Sequence, residues 1–163
     1  MKPSLIFILF LLLAAVFLFF SSAPLPPVVA SHFAAGGRPN GFMPRHDYLV
    51  FMYLTTIGAP LAIAGLAFLL RVIPDSLVNM PNRKYWLAPE RREETRAYLE
   101  NHLLFFAGLL VVFLCFIHWL LVQANLRQPP VLPEPMLFRG LIVFLIVIAG
   151  WLIHLIHRFR QAG

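Results

Sequence analysis

Charged residues vanish from four stretches of the chain, Leu5 to Phe20, Leu49 to Leu70, Leu103 to Ala124 and Gly140 to His157, and each is dense in Leu, Ile, Val and Phe. A helix rises 1.5 Å per residue, so about 20 mostly apolar residues cross a hydrocarbon core about 30 Å thick. Interfacial Ser, Tyr and Trp extend the shorter runs, and the pattern predicts spans near 4–22, 47–71, 99–124 and 140–158. The expected architecture is all-α, one integral membrane domain over 1–163, a bundle of four transmembrane helices.

The first run has a second reading. Lys2, the apolar stretch and then Ser21, Ser22 and Ala23 also fit a secretory leader, which would leave three spans. With the sequence starting at Met1, and with Pro24, Pro26 and Pro27 crowding the place of cleavage, the expectation is a retained helix.

Between the spans, basic residues are unevenly placed. Lys2, Arg71, Arg83, Lys84, Arg91, Arg92, Arg96, Arg158 and Arg160 fall on one side, against Arg38, Arg45, Arg127 and Arg139 on the other. Basic loops stay cytoplasmic, so both termini and segment 72–98 are expected inside, with loops 23–46 and 125–139 outside. Nine of the 14 prolines lie in those outer loops, which should therefore be stiff, because proline fixes φ and favours extended backbone.

Composition agrees: 60% of residues are hydrophobic, 12% are charged and mean hydropathy is +0.80, whereas an ordinary soluble domain carries roughly 25% charge. The net charge of +6 would suggest nucleic acid in a soluble protein, but here the placement of charge outweighs its sum and no nucleic-acid partner is expected. The one cysteine, Cys115, excludes an intrachain disulfide and any paired-cysteine motif.

Local features follow from the same reading. Gly58, Ala62 and Gly65, at i, i+4 and i+7, are expected to form a helix-packing face. Pro60 should kink that helix, with Thr55 or Thr56 bonding a freed carbonyl. Pro89 is expected to open a helix whose first turn holds Glu90, Glu93 and Glu94 and which runs into the third span. Arg91, Arg92 and Arg96 could meet anionic headgroups, but Glu93, Glu94 and Glu100 lie among them, so a solvated face of mixed charge is the stronger reading.

The first outer loop reads LPPVVASHFAAGGRPNGFMPR. Its Leu25, Pro26, Val29, His32, Phe33, Gly37, Pro39, Gly41 and Arg45 resemble the signature of a bacterial membrane domain family of unknown function, also found at the N-terminus of Sdp-type toxin-immunity proteins. The resemblance continues more weakly through Asn82, Tyr85, Trp86, Leu87, Pro89 and Glu90. Where the family has Asn after His-Phe and Asp within the turn, this chain has Ala34 and Asn40, which removes a carboxylate that ion binding would use. The Pro39-Asn40-Gly41 turn is expected to survive. The resemblance implies the bacterial inner membrane. Immunity proteins of this kind are longer, with further helices, so a domain of about four spans lowers the expectation of immunity.

No acid lies within the four charge-free stretches, which disfavours a transporter or pump, and hydrolase and phosphate-loop signatures are absent. The histidines group weakly, as His102 with His154 and His157 near the inner face, and as His32, His46, Cys115 and His118 toward the outer one. Either could hold a metal only through folding that the sequence does not show. The leading expectation is a non-catalytic accessory or assembly subunit with no cofactor, its partners being the lipid bilayer and other membrane subunits. The alternatives are a sensing or toxin-immunity protein that binds a peptide at His32, Phe33, Gly37, Pro39, Asn40, Gly41 and Arg45, and an outer-face metal-handling protein.

Overall fold

A computed structural model describes residues 3–160; Lys2, counted above among the basic residues, lies outside them. Four helices are long and apolar enough to cross a membrane. They are α1 (Pro3–Ser21), a rod from Arg45 to Leu69, α5 (Arg92–Asn125) and α6 (Glu134–Arg160). The rod comprises α2 (Arg45–Tyr53), a π-helical turn over Leu54–Gly58 and α3 (Ala59–Leu69). A short helix α4 (Arg83–Trp86) precedes α5. The charge-free runs predicted these helices but not their ends, because α5 and α6 begin in polar sequence that helix geometry tolerates and lipid does not.

The loop over 23–46 corrects the all-α expectation. Val28–Phe33 (β1) and Pro39–Pro44 (β2) pair as an antiparallel hairpin, with Val28 opposite Pro44 and Phe33 opposite Pro39. Val28, Val29 and Phe33 are strand-favouring residues, and their backbone groups find in each other the partners that a turn-rich loop would lack. The reversal also lies elsewhere than expected. Gly36 and Gly37 take φ of 82° and 69°, and the Gly37 amide donates to Ala34 O. Pro39, Asn40 and Gly41 instead belong to β2, since the glycine pair adopts positive φ more readily than Asn40.

Packing divides into two layers. Phe7 and Ala14 of α1, Ala67 of α3, and Leu104, Ala107 and Val111 of α5 form the middle of the molecule. Leu18, Leu25, Val29, Tyr48, Met52 and Val122 form a second cluster beneath the hairpin. The four-helix bundle is thus a three-helix core with α6 outside it, leaning on α5 through aromatic side chains. Phe113 stacks on Phe144 at 4.1 Å and Phe106 on Trp151 at 5.5 Å between ring centroids. At its C-terminal end, the Phe159 carbonyl accepts from Asn82 Nδ2 at 3.1 Å and Trp86 Nε1 at 3.2 Å. These bonds satisfy a carbonyl that the helix itself leaves open.

The packing face expected on Gly58, Ala62 and Gly65 meets no helix of this chain among the described residues. Ala62 and Gly65 are exposed, and a Cβ added at Gly58 or Gly65 would meet nothing within 4 Å. Ile57, Ile63, Ala64 and Ala67 face the core instead, because they supply the apolar volume that fills it. Buried Pro60 is preceded by the π turn, where the Ala59 amide donates to Leu54 O. Thr55 Oγ1 donates to the carbonyls of Phe51 at 2.9 Å and Met52 at 3.2 Å, neither of which loses its donor to Pro60, so the expected bond to a freed carbonyl is not the one formed.

At the opposite end from the hairpin, α5 begins at Arg92, not at Pro89. The amides of Arg91 and Arg92 both donate to Ala88 O, and Thr95 Oγ1 donates to Trp86 O, so the chain turns there before the helix starts. Glu93 and Glu94 occupy the first turn, where they oppose the helix dipole, while Glu90 precedes it.

Candidate functional site

The hairpin is held as a cap by side chains from the helix ends. Asn125, the last residue of α5, accepts from Ala30 N at 2.8 Å and donates through Nδ2 to Ala30 O and Leu121 O, each at 2.9 Å. Leu132 N donates to Gly37 O at 2.9 Å, and Gly36 N donates to Glu134 Oε1 at 2.9 Å. Both inter-helix connections at this end are therefore stitched into one surface.

The predicted binding residues fall on that cap in different roles. His32 and Asn40 are exposed and joined, Nδ1 to Oδ1, at 2.6 Å. Gly41 sits opposite His32, and a Cβ there would stand 2.9 Å from the His32 Cβ. Phe33 and Pro39 are half-buried partners in the ladder. Gly37 is buried under Leu132, and Arg45 donates to Leu25 O at 3.3 Å, so both serve the inside of the cap. Phe42, two residues along β2 from Asn40, is exposed, as is Val28 at the far end of the ladder opposite Pro44.

The four residues grouped as outer metal candidates are not brought together. His32 and His46 are exposed, Cys115 packs against the middle core, and His118 is fully buried among hydroxyls. Among the described residues no three His, Cys, Asp or Glu side chains gather as a metal site.

Around His118 lies a polar knot that the sequence reading missed. Its Nε2 stands 2.9 Å from Ser21 Oγ and 3.3 Å from Ser22 Oγ, and its Nδ1 stands 2.9 Å from Tyr48 OH. Ser21 Oγ donates to Phe17 O at 2.6 Å, so its one hydrogen is used and it accepts from the ring. That assigns the proton to Nε2 and makes Nδ1 the acceptor from Tyr48. A serine hydrolase needs the opposite polarity, with Nε2 accepting from serine and Nδ1 donating to a carboxylate. The arrangement ties α1, α2 and α5 together. The signals for it in the sequence were polar residues at helix ends, Ser21, Ser22 and Tyr48, that the charge-free runs passed over.

At the other end, His102 and His154 do meet, as the inner grouping anticipated. Their rings are nearly parallel with centroids 6.2 Å apart, and His102 Nδ1 lies 3.0 Å from Tyr98 O. Face-to-face rings aim their nitrogens alongside one another, not at a shared point, so this contact is packing between α5 and α6.

Much of the charge at this end is paired. Arg71 grips Glu100 through two bonds of 2.7 Å. Asp75 takes Arg96 at 2.6 Å on one oxygen and Arg92 at 2.9 Å on the other. The hydrogen bond from Arg96, with the nearby positive charges of Arg92, Arg96 and Arg83, holds the Asp75 carboxyl below its ordinary pKa against partial desolvation. Arg91 lies 4.0 Å over the Tyr85 ring, and Arg158 lies 3.8 Å over Tyr98. Comparisons with protein-family models, curated proteins and solved structures each gave no match.

Proposed function

We propose that this chain is a non-catalytic membrane subunit that docks α3 against a helix of a larger assembly. The outward-facing Gly58, Ala62 and Gly65 carry this reading. In the chain itself they pack against nothing, yet they form a shallow face that a second helix backbone can approach closely. Exposed Leu54, Leu61 and Leu66 flank them with apolar volume. In this reading the protein lies in a bacterial inner membrane with the arginine-rich end in the cytoplasm, as the basic-residue asymmetry favours.

The test is co-purification in mild detergent. Wild-type protein should migrate in a large assembly, and Gly58→Leu or Ala62→Leu should release it as a smaller species of unchanged stability. A wild type that is a monomer with no partner in several mild detergents would sink the reading. Orientation is checked separately in a Cys115→Ser background: Ala35→Cys should react with an impermeant maleimide on spheroplasts, and Ser76→Cys should not.

One observation supports the alternative of a peptide-binding, immunity-type protein. The exposed His32–Asn40 pair beside Phe42 offers polar and apolar contacts on a rigid platform. That alternative predicts that His32→Ala weakens protection against a peptide toxin while His154→Ala does not.

A further inference from the structure

Two hollows meet at the arginine-rich end. One is polar and basic, lined by Asn79, Asn82, Arg83, Lys84 and Tyr85. The other is an apolar groove between helices, lined by Ile73 just after α3, Leu99 and Leu103 of α5, and Trp151 and Leu155 of α6. Val78, Asn79 and Met80 line both, so the basic hollow and the groove share one wall.

The charge in the basic hollow is available. Arg92 and Arg96 are spent on Asp75, Arg71 on Glu100, and Arg158 reaches Glu94 at 3.4 Å. Lys84, by contrast, has no partner among the described residues, and Arg83 donates one bond, from Nη1 to Ser76 O at 2.8 Å. Two cations, two side-chain amides and a phenol suit a phosphate with polar substituents. The groove suits a hydrocarbon chain apart from three polar members of its lining, Asn79, His102 and Trp151. Trp151 Nε1 is buried there without an acceptor among the described residues, and buried donors are ordinarily satisfied.

We propose that this end of the molecule holds an anionic phospholipid, its phosphate between Arg83 and Lys84 and one acyl chain in the groove between α5 and α6. The lipid fills the gap beside α6, the helix that the protein itself covers least, and so completes its seat on α5. This inference concerns a different surface from the α3 face and stands independently of the assembly reading.

The test reconstitutes the full chain, with Trp86→Phe and Trp119→Phe so that Trp151 alone emits, into vesicles containing acyl-brominated lipid. Brominated phosphatidylglycerol should quench Trp151 at a mole fraction about thirtyfold lower than brominated phosphatidylcholine, the scale expected of two basic groups at a headgroup. Arg83→Gln with Lys84→Gln should bring the two lipids together, and Arg127→Gln, at the hairpin end, should leave the preference intact. Equal quenching before substitution, or a preference that survives the double substitution, overturns the proposal. So does recovery of emission on adding inorganic phosphate alone, which would assign the hollow to a soluble anion. If the tryptophan variant does not fold, native mass spectrometry of the unsubstituted chain from mixed vesicles decides. Retained phosphatidylglycerol that is lost on the double substitution supports the site, and unchanged retention refutes it.

Discussion

The Asn125 side chain pairs with the backbone of Ala30 as a neighbouring strand would, accepting from its amide at 2.8 Å and donating to its carbonyl at 2.9 Å. A two-stranded hairpin is marginal alone in water. Here one amide side chain at a helix end continues the ladder on the buried side of β1, and Val29 beneath it is fully buried.

Asn125→Leu keeps the size and removes every one of those bonds. Two buried backbone groups of Ala30 then lose their partner, at roughly 1–3 kcal/mol each, so a total loss of about 3 kcal/mol is expected. Denaturant titration in mixed micelles would measure it, and proteolysis within 34–38 should accelerate in parallel. A change below about 1 kcal/mol would mean that Asn125 does not hold the hairpin.

Gly36 and Gly37 separate conformational cost from contact. Both have positive φ, so alanine at either position incurs about 1 kcal/mol of left-handed strain. A Cβ at Gly36 meets nothing within 4 Å, whereas one at Gly37 collides with the Leu132 carbonyl. Gly37→Ala should therefore destabilise by clearly more than Gly36→Ala and should detach the connection after α5, read as faster cleavage near Leu132. Equal effects would show that the contact with Leu132 is unimportant.

The contrast between helix and hairpin explains what sequence could convey. Absence of charge over about 20 residues is a signal that lipid imposes on every position, so the four long helices were legible. The hairpin was not, because five prolines within 23–46 favour extended backbone without fixing a strand pairing, and its strands depend on Asn125, 95 residues away from Ala30. The Gly58, Ala62 and Gly65 spacing was legible as a face, but spacing cannot say which way a face turns. Of the candidate site, His32 and Asn40 were found on the surface, while the His118 knot draws on three segments whose proximity only the fold supplies.

The Asp75 pair with Arg96 and Arg92 makes the connection after α3 depend on acid. The carboxyl has a folded pKa below its ordinary 3.8, so its contribution is present above that value and is lost as pH falls through the lower, folded one. Amide hydrogen exchange over 71–79 should be insensitive to this group from pH 8 to 5 and should rise only below about pH 4. Asp75→Asn should show the faster exchange at every pH. A transition centred between pH 5 and 7 would point to a histidine instead.

The His118 knot is the hydrogen-bonded junction of α1, α2 and α5, and its strength should be that of bonds in an apolar setting. Such bonds between membrane helices average about 0.6 kcal/mol and reach about 1.7, because the unfolded chain in lipid also finds partners. Tyr48→Phe removes the donor to Nδ1 and nothing else, so a loss of about 1 kcal/mol is expected. His118→Phe should cost more, since it strands the hydroxyls of Ser22 and Tyr48 together, while Ser21 keeps its bond to Phe17 O. In the double variant the two losses should fall short of their sum by roughly 0.5–1.5 kcal/mol, the coupling that a direct bond produces. Nitrogen chemical shifts of His118 give an independent reading, with Nε2 protonated and Nδ1 responding to Tyr48→Phe. Additive losses, together with a proton on Nδ1, would overturn the arrangement inferred from Ser21 and its bond to Phe17 O.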